Sequence, residues 1–295
     1  MSGLSISVVV PVLDMADSIG PCLDALVAQS LPPDQFEVIV VDNGSTDGTR
    51  EVVQRYPVRL LHEPAPGACR ARNTGIRAST GAFVAFTDAD CVPTRGWLRH
   101  LARAAAHPEV DVVAGPLAVL DPERSLLSRY SATVGQYDPA RTLAHPAFPY
   151  AVTGNVCIRR SVLDAVGLFN PAFPTFDAAE FFWRLRQQMP LRATVETHAL
   201  VFYRTRATLS AFVRQNYGYG QGTGRLMRQA APAPGLAHAS LTLRHWRTRV
   251  ADGGRVARSS AGTSRIDAAS LLGLHVLRET AIAAGMVSVL TQAHS

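Results

Sequence analysis

The chain has 295 residues, 47% of them hydrophobic, and a formal net charge of +6 from 29 basic and 23 acidic residues. That length and apolar content suit one large domain, or one domain with an extension. No uninterrupted apolar run reaches bilayer-spanning length, the N-terminus lacks a basic start and a small-residue cleavage site, and the four cysteines form no C-x-x-C pair; a spanning helix, a signal peptide, a disulfide framework and a zinc site are all disfavoured.

The charge is uneven. The chain has no lysine, and from residue 200 onward 12 arginines face 3 acids (Asp252, Asp267 and Glu279), whereas the first 199 residues hold 17 and 20. A basic C-terminal third can meet an anionic lipid surface, a phosphorylated substrate or nucleic acid, or form a solvated helical surface.

Taken in order, residues 5–12 form a β-branched strand, and residues 16–28 bring Ile19, Leu23, Leu26 and Val27 round at helical spacing. Residues 36–42 are a second strand, followed by a short helix with Ser45 or Thr46 as its N-cap. Residues 58–63 read as a strand, 66–79 as a helix, 82–88 as a strand, 94–106 as a helix and 110–115 as a strand. Strands that are apolar on both faces and alternate with helices describe an α/β protein with a parallel sheet covered on both sides. Residues 116–150 lose the pattern and read as a long irregular connection. Residues 151–167 follow as strand then helix, and 177–188 as a helix with Phe181, Leu185 and Gln188 on one face. Residues 192–203 are a strand pair or one long strand, with His198 in it as a strand histidine. Residues 208–229 read as a helix loosened by Gly218, Gly220, Gly222 and Gly224, 230–239 as a linker, and 267–290 as an apolar helix interrupted by His275, Arg278 and Glu279.

On a parallel α/β sheet, ligands bind at the carboxyl ends of the strands. Those ends read "VPVLD", "VVDNGSTDGT", "LHEPAPGA" and "FTDADC". Glycine-rich phosphate loops are absent, so a bound phosphate needs another countercharge. Asp88 and Asp90, spaced i and i+2 in a turn around Ala89, can supply one by holding a hard divalent cation, Mn²⁺ or Mg²⁺. The plainer reading is a pair of solvated turn residues or a cap for the next helix.

The combination is more specific. A strand ending in Pro11, then "VDNGSTDGT", then "GACRARNTG", then a strand ending "DAD", resembles the family 2 glycosyltransferases of the GT-A fold. The likeness is close from about residue 5 to 100 and looser to about 225, which divides the chain into a GT-A domain over 1–228 and a basic helical extension over 229–295. Within the domain a nucleotide-binding half (about 1–115) precedes an acceptor half (about 116–228). The resemblance implies a mostly parallel, Rossmann-like sheet and a metal-dependent, inverting transfer of a sugar from a nucleoside-diphosphate sugar, commonly a UDP-sugar, to a hydroxyl or amine. It implies that Pro11 lines the base pocket, Asp42 contacts base or ribose, Arg72 fixes the nucleotide, Asp88 contacts the ribose near the metal, Asp90 ligates the metal, and Gly154 and Asn155 approach the donor sugar.

Three departures fall outside the donor half's core motifs. In "FDAAEFFWRLR" Ala178 stands where the base aspartate is expected, so Asp177 is the substitute and Glu180 the runner-up. Asp177 could equally be a helix N-cap or first-turn acid. Tyr203 stands where many relatives carry a histidine, leaving the metal to Asp90, phosphate and water, or Arg204 and Arg206 to neutralise phosphate. Met15 stands where relatives often have Glu. Tyr217 and Tyr219 are acceptor-stacking or plain packing aromatics. The alternative function is a degenerate GT-A protein that binds nucleotide-sugar or a partner without turnover; a sugar-nucleotide pyrophosphorylase is disfavoured by the missing basic glycine-rich loop after the first strand, and no aromatic-basic motif of the known nucleic-acid modules is present. The implied setting is cytoplasmic, with peripheral contact at the inner face of the membrane or homodimerisation left open for the tail helix, and the acceptor unknown.

Overall fold

The computed structural model describes residues 5–135, 137–145, 147–230 and 265–291. Most of the linker expected at 230–239, and the basic stretch after it, lie outside the described residues. The chain forms two compact units: residues 1–118 with 137–204, and residues 119–136 with 205–295.

The first unit is built on a seven-stranded sheet. Its strands are β1 (Ile6–Val12), β2 (Phe36–Asp42), β3 (Arg59–His62), β4 (Phe83–Phe86), β6 (Val112–Ala114), β8 (Val156–Arg159) and β9 (Ala193–Val195), in the order β3-β2-β1-β4-β8-β6-β9. Pairing is parallel from β3 through β1 to β4 and between β6 and β9. One strand runs the other way: β8 is antiparallel to both β4 and β6. The sheet is thus mostly parallel, as expected, with β8 its one reversed strand; an apolar, β-branched run carries no record of strand direction, so which strand reverses was not legible. A second sheet, absent from the sequence reading, joins β5 (Cys91–Pro93), β10 (Val201–Tyr203) and β7 (Leu117–Val119).

Helices α1 (Ala16–Val27), α2 (Thr49–Val53), α3 (Ala68–Ala78) and α4 (Trp97–Ala105) fill the early crossovers. β1 has Val8 and Val10 in one apolar cluster, with α1 and α4 side chains, and Val9 in another, with α3 and α8 side chains, so its alternating residues serve both faces. The cap expected at Ser45 or Thr46 is instead Gly48, at φ 85°, with no side-chain cap. The hydroxyl and carboxylate groups of that loop serve the neighbouring crossover, where Met15 N donates to Thr49 Oγ1 (2.8 Å) and Ala16 N to Asp47 Oδ2 (3.0 Å), and the crossover's Asp14 Oδ1 accepts in return from Thr46 N (2.8 Å). Asp47 therefore supplies an oxygen to the first turn of α1 from another loop.

The supposedly irregular segment 116–150 carries β7, α5 (Leu126–Val134) and α6 (Pro139–Leu143). Helices α7 (Arg160–Val166) and α8 (Asp177–Gln188) complete the first unit. Phe181 and Leu185 are buried in α8 as expected, but Gln188 is exposed. His198 is not in a strand: it sits in the turn before β10, accepts backbone placement by donating its own N–H to Glu196 Oε1 (3.0 Å), and stacks on His100. All four cysteines are free and buried.

The second unit joins α5, α9 (Leu209–Ala230) and α10 (Arg265–Leu290) around Leu127, Tyr130, Phe212, Leu271 and Leu274. The glycines do not loosen α9. A Cβ built on Gly220 would lie 2.0 Å from the Ile282 carbonyl oxygen, and one on Gly285 2.1 Å from that of Tyr217. These glycines let two helix backbones touch, as small residues do in tightly packed helix pairs. Nor do His275, Arg278 and Glu279 break α10; all three are buried, and Ala268–Leu290 is long and apolar enough to cross a membrane by length and composition. Gly220→Val should destabilise the second unit by about 1–3 kcal/mol, because backbone rather than a flexible side chain opposes the new atoms; a thermal melt by circular dichroism checks it, and an unchanged midpoint would refute the close packing.

Candidate active site

The register of the sheet assembles the site. Pairing sets Val12 beside Asp42 and Asp42 beside His62, so β1, β2 and β3 end in one row. β4 and β8 are antiparallel, with Phe86 opposite Val156, so the residues after β4 meet those before β8. This brings Gly154 to Asp88: a Cβ on Gly154 would lie 3.4 Å from Asp88 Oδ2. In the small sheet Tyr203 pairs with Cys91, and Arg204 N donates to Asp90 O (3.0 Å). The position where a histidine was sought thus lies beside the acidic pair, but with tyrosine and arginine there.

Asp88 and Asp90 stand in the turn between β4 and β5. Cys91 N donates to Asp88 O (3.0 Å) and closes the turn over buried Ala89. Cys22 Sγ approaches the same carbonyl at 3.6 Å. Asp88, Asp90 and Cys91 offer ligand atoms within 4.8 Å of one another. Burial, with the charges of Asp88 and Asp90, pushes the Cys91 thiol well above its usual range. It stays protonated, which makes it a poor ligand for a hard cation. The two carboxylates, half-exposed and all-oxygen, fit Mg²⁺ or Mn²⁺.

Arg72 is the centre of the site. It points from α3 between two acids, with Nη1 donating to Asp177 Oδ2 (2.8 Å) and Nη2 to Asp88 Oδ1 (2.9 Å). Its side chain is only 8% exposed. Burial works against the charge, but Asp177 and Asp88 more than offset it and hold the guanidinium protonated, above arginine's usual range. Arg72 is therefore no helix-surface arginine. Asp177 opens α8 after Phe176, which holds a left-handed φ of 66°. It caps nothing: its Oδ2 accepts from Arg72 and lies 3.5 Å from Cys69 Sγ. Burial and the Asp177 charge push the Cys69 thiol up to about 12, so it remains a neutral donor. Its shorter hydrogen bond goes to Phe173 O (3.1 Å), so Cys69 borders the candidate site beside Asp177; no spacing rule points to it, because both contacts lie far along the chain.

Glu180 is placed differently. It is fully buried, and Oε1 accepts from Arg184 Nε (2.8 Å). Arg184 also donates to the Val166 and Leu168 carbonyls (2.7 Å each), tying the end of α7 to α8. Ala178, at the expected base position, is buried.

Pro11 lies on β1 beside Val41, one residue before the Val12–Asp42 pair. Asp42 is buried and accepts from Ser45 N (3.1 Å), Gly44 N (3.3 Å) and Arg50 Nε (2.6 Å). Burial would raise its carboxyl, but bonds from Ser45 and Arg50 hold it below its usual range. Asp42 thus shapes its own loop, and Arg50 stands over it. Neighbouring Asn43 pins the loop between β3 and α3 at three points: Nδ2 donates to Glu63 O (2.9 Å) and Ala65 O (2.8 Å), and Oδ1 accepts from Gly67 N (2.6 Å). Asn155 is buried. Its amide faces inward, accepting from Trp97 Nε1 (2.8 Å) and donating to Pro116 O (2.8 Å) and Ala199 O (2.7 Å). That leaves Gly154 as the residue of the pair that meets the acidic site.

Comparison with known proteins identifies the family and the fold. Residues 7–167 match the Glycosyl transferase family 2 pattern. Glycosyltransferase AglE of Haloferax volcanii is 32% identical over 170 residues, covering 56% of this chain and 55% of its own length. The pre-mycofactocin glycosyltransferase of Mycobacterium tuberculosis is 30% identical over 223 residues, covering 73% and 46%. The chain thus spans about half the length of these curated relatives. Among solved structures, the mannosyltransferase PcManGT of Pyrobaculum calidifontis, in complex with GDP-Man and Mn²⁺, superposes with a TM-score of 0.64 at 22% identity, covering 97% of this chain and 87% of its own. Residues 1–349 of Staphylococcus aureus TarS with UDP-GlcNAc superpose with 0.56 at 16% identity, covering 96% and 91%. These likenesses place the fold in the GT-A class, and the matched sequence places the chain in glycosyl transferase family 2.

Proposed function

We propose that the chain is an inverting, cation-dependent glycosyltransferase that moves a sugar from a nucleoside-diphosphate sugar, a UDP-sugar first among the candidates, to an acceptor hydroxyl or amine. The observation that carries this reading is the Arg72 bridge, which sets the donor-side Asp88 and the base candidate Asp177 on one guanidinium. The GDP-Man, Mn²⁺ and UDP-GlcNAc complexes of the structural neighbours support the donor class and the cation.

In this reading Pro11 and the loop organised by Asp42 receive the nucleotide's base end, and Asp88 and Asp90 hold Mn²⁺ or Mg²⁺. A bound cation would neutralise the diphosphate as it departs. Gly154 leaves room for the donor beside Asp88, where a larger residue would crowd the carboxylate. Asp177 accepts the acceptor's proton while Arg72 keeps its carboxylate oriented. Glu180, tied to Arg184, supports the helix rather than the chemistry. In this reading the donor half is about 1–115 and the acceptor half about 116–228, with 229–295 a basic extension whose helix α10 shares a compact unit with α5 and α9.

Two outcomes are expected. Chelation by EDTA, or Asp90→Ala, should abolish release of nucleoside diphosphate from a panel of nucleotide sugars, and Mn²⁺ should restore the wild type. Tight donor binding with no release for any acceptor would instead assign the chain to the non-catalytic class, for which buried Ala178 is the motivating feature.

Asp177→Asn should lower kcat about 10²–10⁴-fold while calorimetry shows donor affinity unchanged. Arg72→Lys keeps the charge but not the two-pronged fork, and should lower kcat roughly 100-fold. Full turnover in Asp177→Asn, together with its loss in a normally melting Glu180→Gln, would overturn the base assignment.

A further inference from the structure

Arg204 follows directly on β10 and lies across from the acidic turn. The ladder between β10 and β5 pairs Val201 with Pro93, Phe202 with Val92 and Tyr203 with Cys91. Backbone bonds carry it one residue further at each end: Thr94 N donates to Leu200 O and Arg204 N to Asp90 O, both at 3.0 Å. Arg204 therefore stands opposite Asp90. Residues opposite each other in an antiparallel pair project to the same side, with Cβ atoms about 4.5–5.5 Å apart. The register thus sets an arginine side chain on the side of the turn that the Asp90 carboxylate occupies.

Arg204 differs from comparable arginines of its unit in having no counter-ion. Among the described half-buried arginines there, Arg50 is bonded to Asp42, Arg159 to Asp111 and Arg184 to Glu180, while Arg160 donates to Gly81 O and Ser79 Oγ. The half-buried Arg204 guanidinium makes no ion pair or hydrogen bond with any described residue, Asp90 included. Partial burial of an uncompensated charge costs free energy, which a bound anion would recover.

The formal charges of the site agree. Asp88, Asp90 and Asp177 bring three negative charges, and Arg72 with a divalent cation would bring three positive ones. They cancel, so that set leaves nothing over to balance a diphosphate, and the chain has no glycine-rich phosphate loop. Arg204 adds the surplus positive charge, and a guanidinium can fork onto two phosphate oxygens at once.

We propose that, within the glycosyl-transfer reading on which this rests, Arg204 binds the β-phosphate of the donor and stabilises the departing nucleoside diphosphate. As the acceptor oxygen bonds to the anomeric carbon, the bond from that carbon to the β-phosphate oxygen breaks and its electron pair stays on that oxygen. The acceptor's proton goes to Asp177. Arg204 bonds the phosphate on which the new negative charge appears.

Calorimetry of the full chain at saturating Mn²⁺, with UDP and GDP set against UMP and GMP, tests this. Arg204→Gln should weaken whichever diphosphate the wild type binds by about 10- to 100-fold, the range of a hydrogen bond to a charged group. Monophosphate binding should change less than about two-fold, and kcat should fall about 100-fold with the melting temperature unchanged. Should Arg204→Gln melt early, Arg204→Lys, which keeps the charge but not the fork, should still show a loss confined to the diphosphate. A normally melting Arg204→Gln that binds diphosphate as the wild type does overturns the proposal. So does an equal loss of monophosphate and diphosphate, which would make Arg204 a prop for the Asp90 turn, or full recovery in excess Mn²⁺, which would assign its effect to the cation. A wild type that binds neither diphosphate removes the donor reading itself, whereas diphosphate binding and turnover untouched by Arg204→Gln leave that reading standing without Arg204.

Discussion

A single buried guanidinium organises the candidate site of this protein. Arg72 has one acid on each prong, Asp88 from the turn after β4 and Asp177 from the start of α8. Three separate segments are therefore joined at one charge. Removing one partner of a buried ion pair leaves the other uncompensated, at a cost of about 3–5 kcal/mol, so the arrangement is also a structural tie. Positive charge between carboxylates lets two acids stay ionised at close quarters, which an acidic cluster alone would resist.

Around that charge the fold supplies placement. β8 runs against its neighbours, and this reversal carries Gly154 to the acidic turn. Asn155, one residue on, closes the same corner by joining Trp97, Pro116 and Ala199. β10 arrives alongside β5 and sets Arg204 N on the Asp90 carbonyl. The acidic turn is thus held by backbone bonds from both sides. Its side chains stay half-exposed, which is what a reversible ligand site requires. The second unit uses a different economy: glycine-to-backbone contact between α9 and α10, with polar residues buried and an apolar face turned outward.

Much of the nucleotide-binding half is legible in the chain. The β-branched runs at 6–12 and 36–42 become β1 and β2, and the helix at 16–28 becomes α1 within one residue. Their patterns are strong because each strand is buried on both faces. The failures have particular causes. Residues 91–93 and 117–119 pair through backbone bonds in short strands, leaving too few residues for any period to show. The glycines of 218–224 look like helix breakers until the partner helix is present, since the packing that outweighs their poor propensity is tertiary. Gly48 rather than Ser45 or Thr46 precedes α2, because the nearby side chains are engaged across the loop to α1.

By itself the sequence determined the family, the order of its motifs and the acidic character of the turn after β4, because these depend on residue type at short spacing. Only the tertiary structure decided which acids share Arg72, that Glu180 is tied to Arg184, that Asn155 faces inward, and that α10 turns its charges inside. Each of these joins residues far apart in the chain or depends on which face of a helix is covered. Direction, burial and partnership are properties of packed elements, and no local pattern carries them.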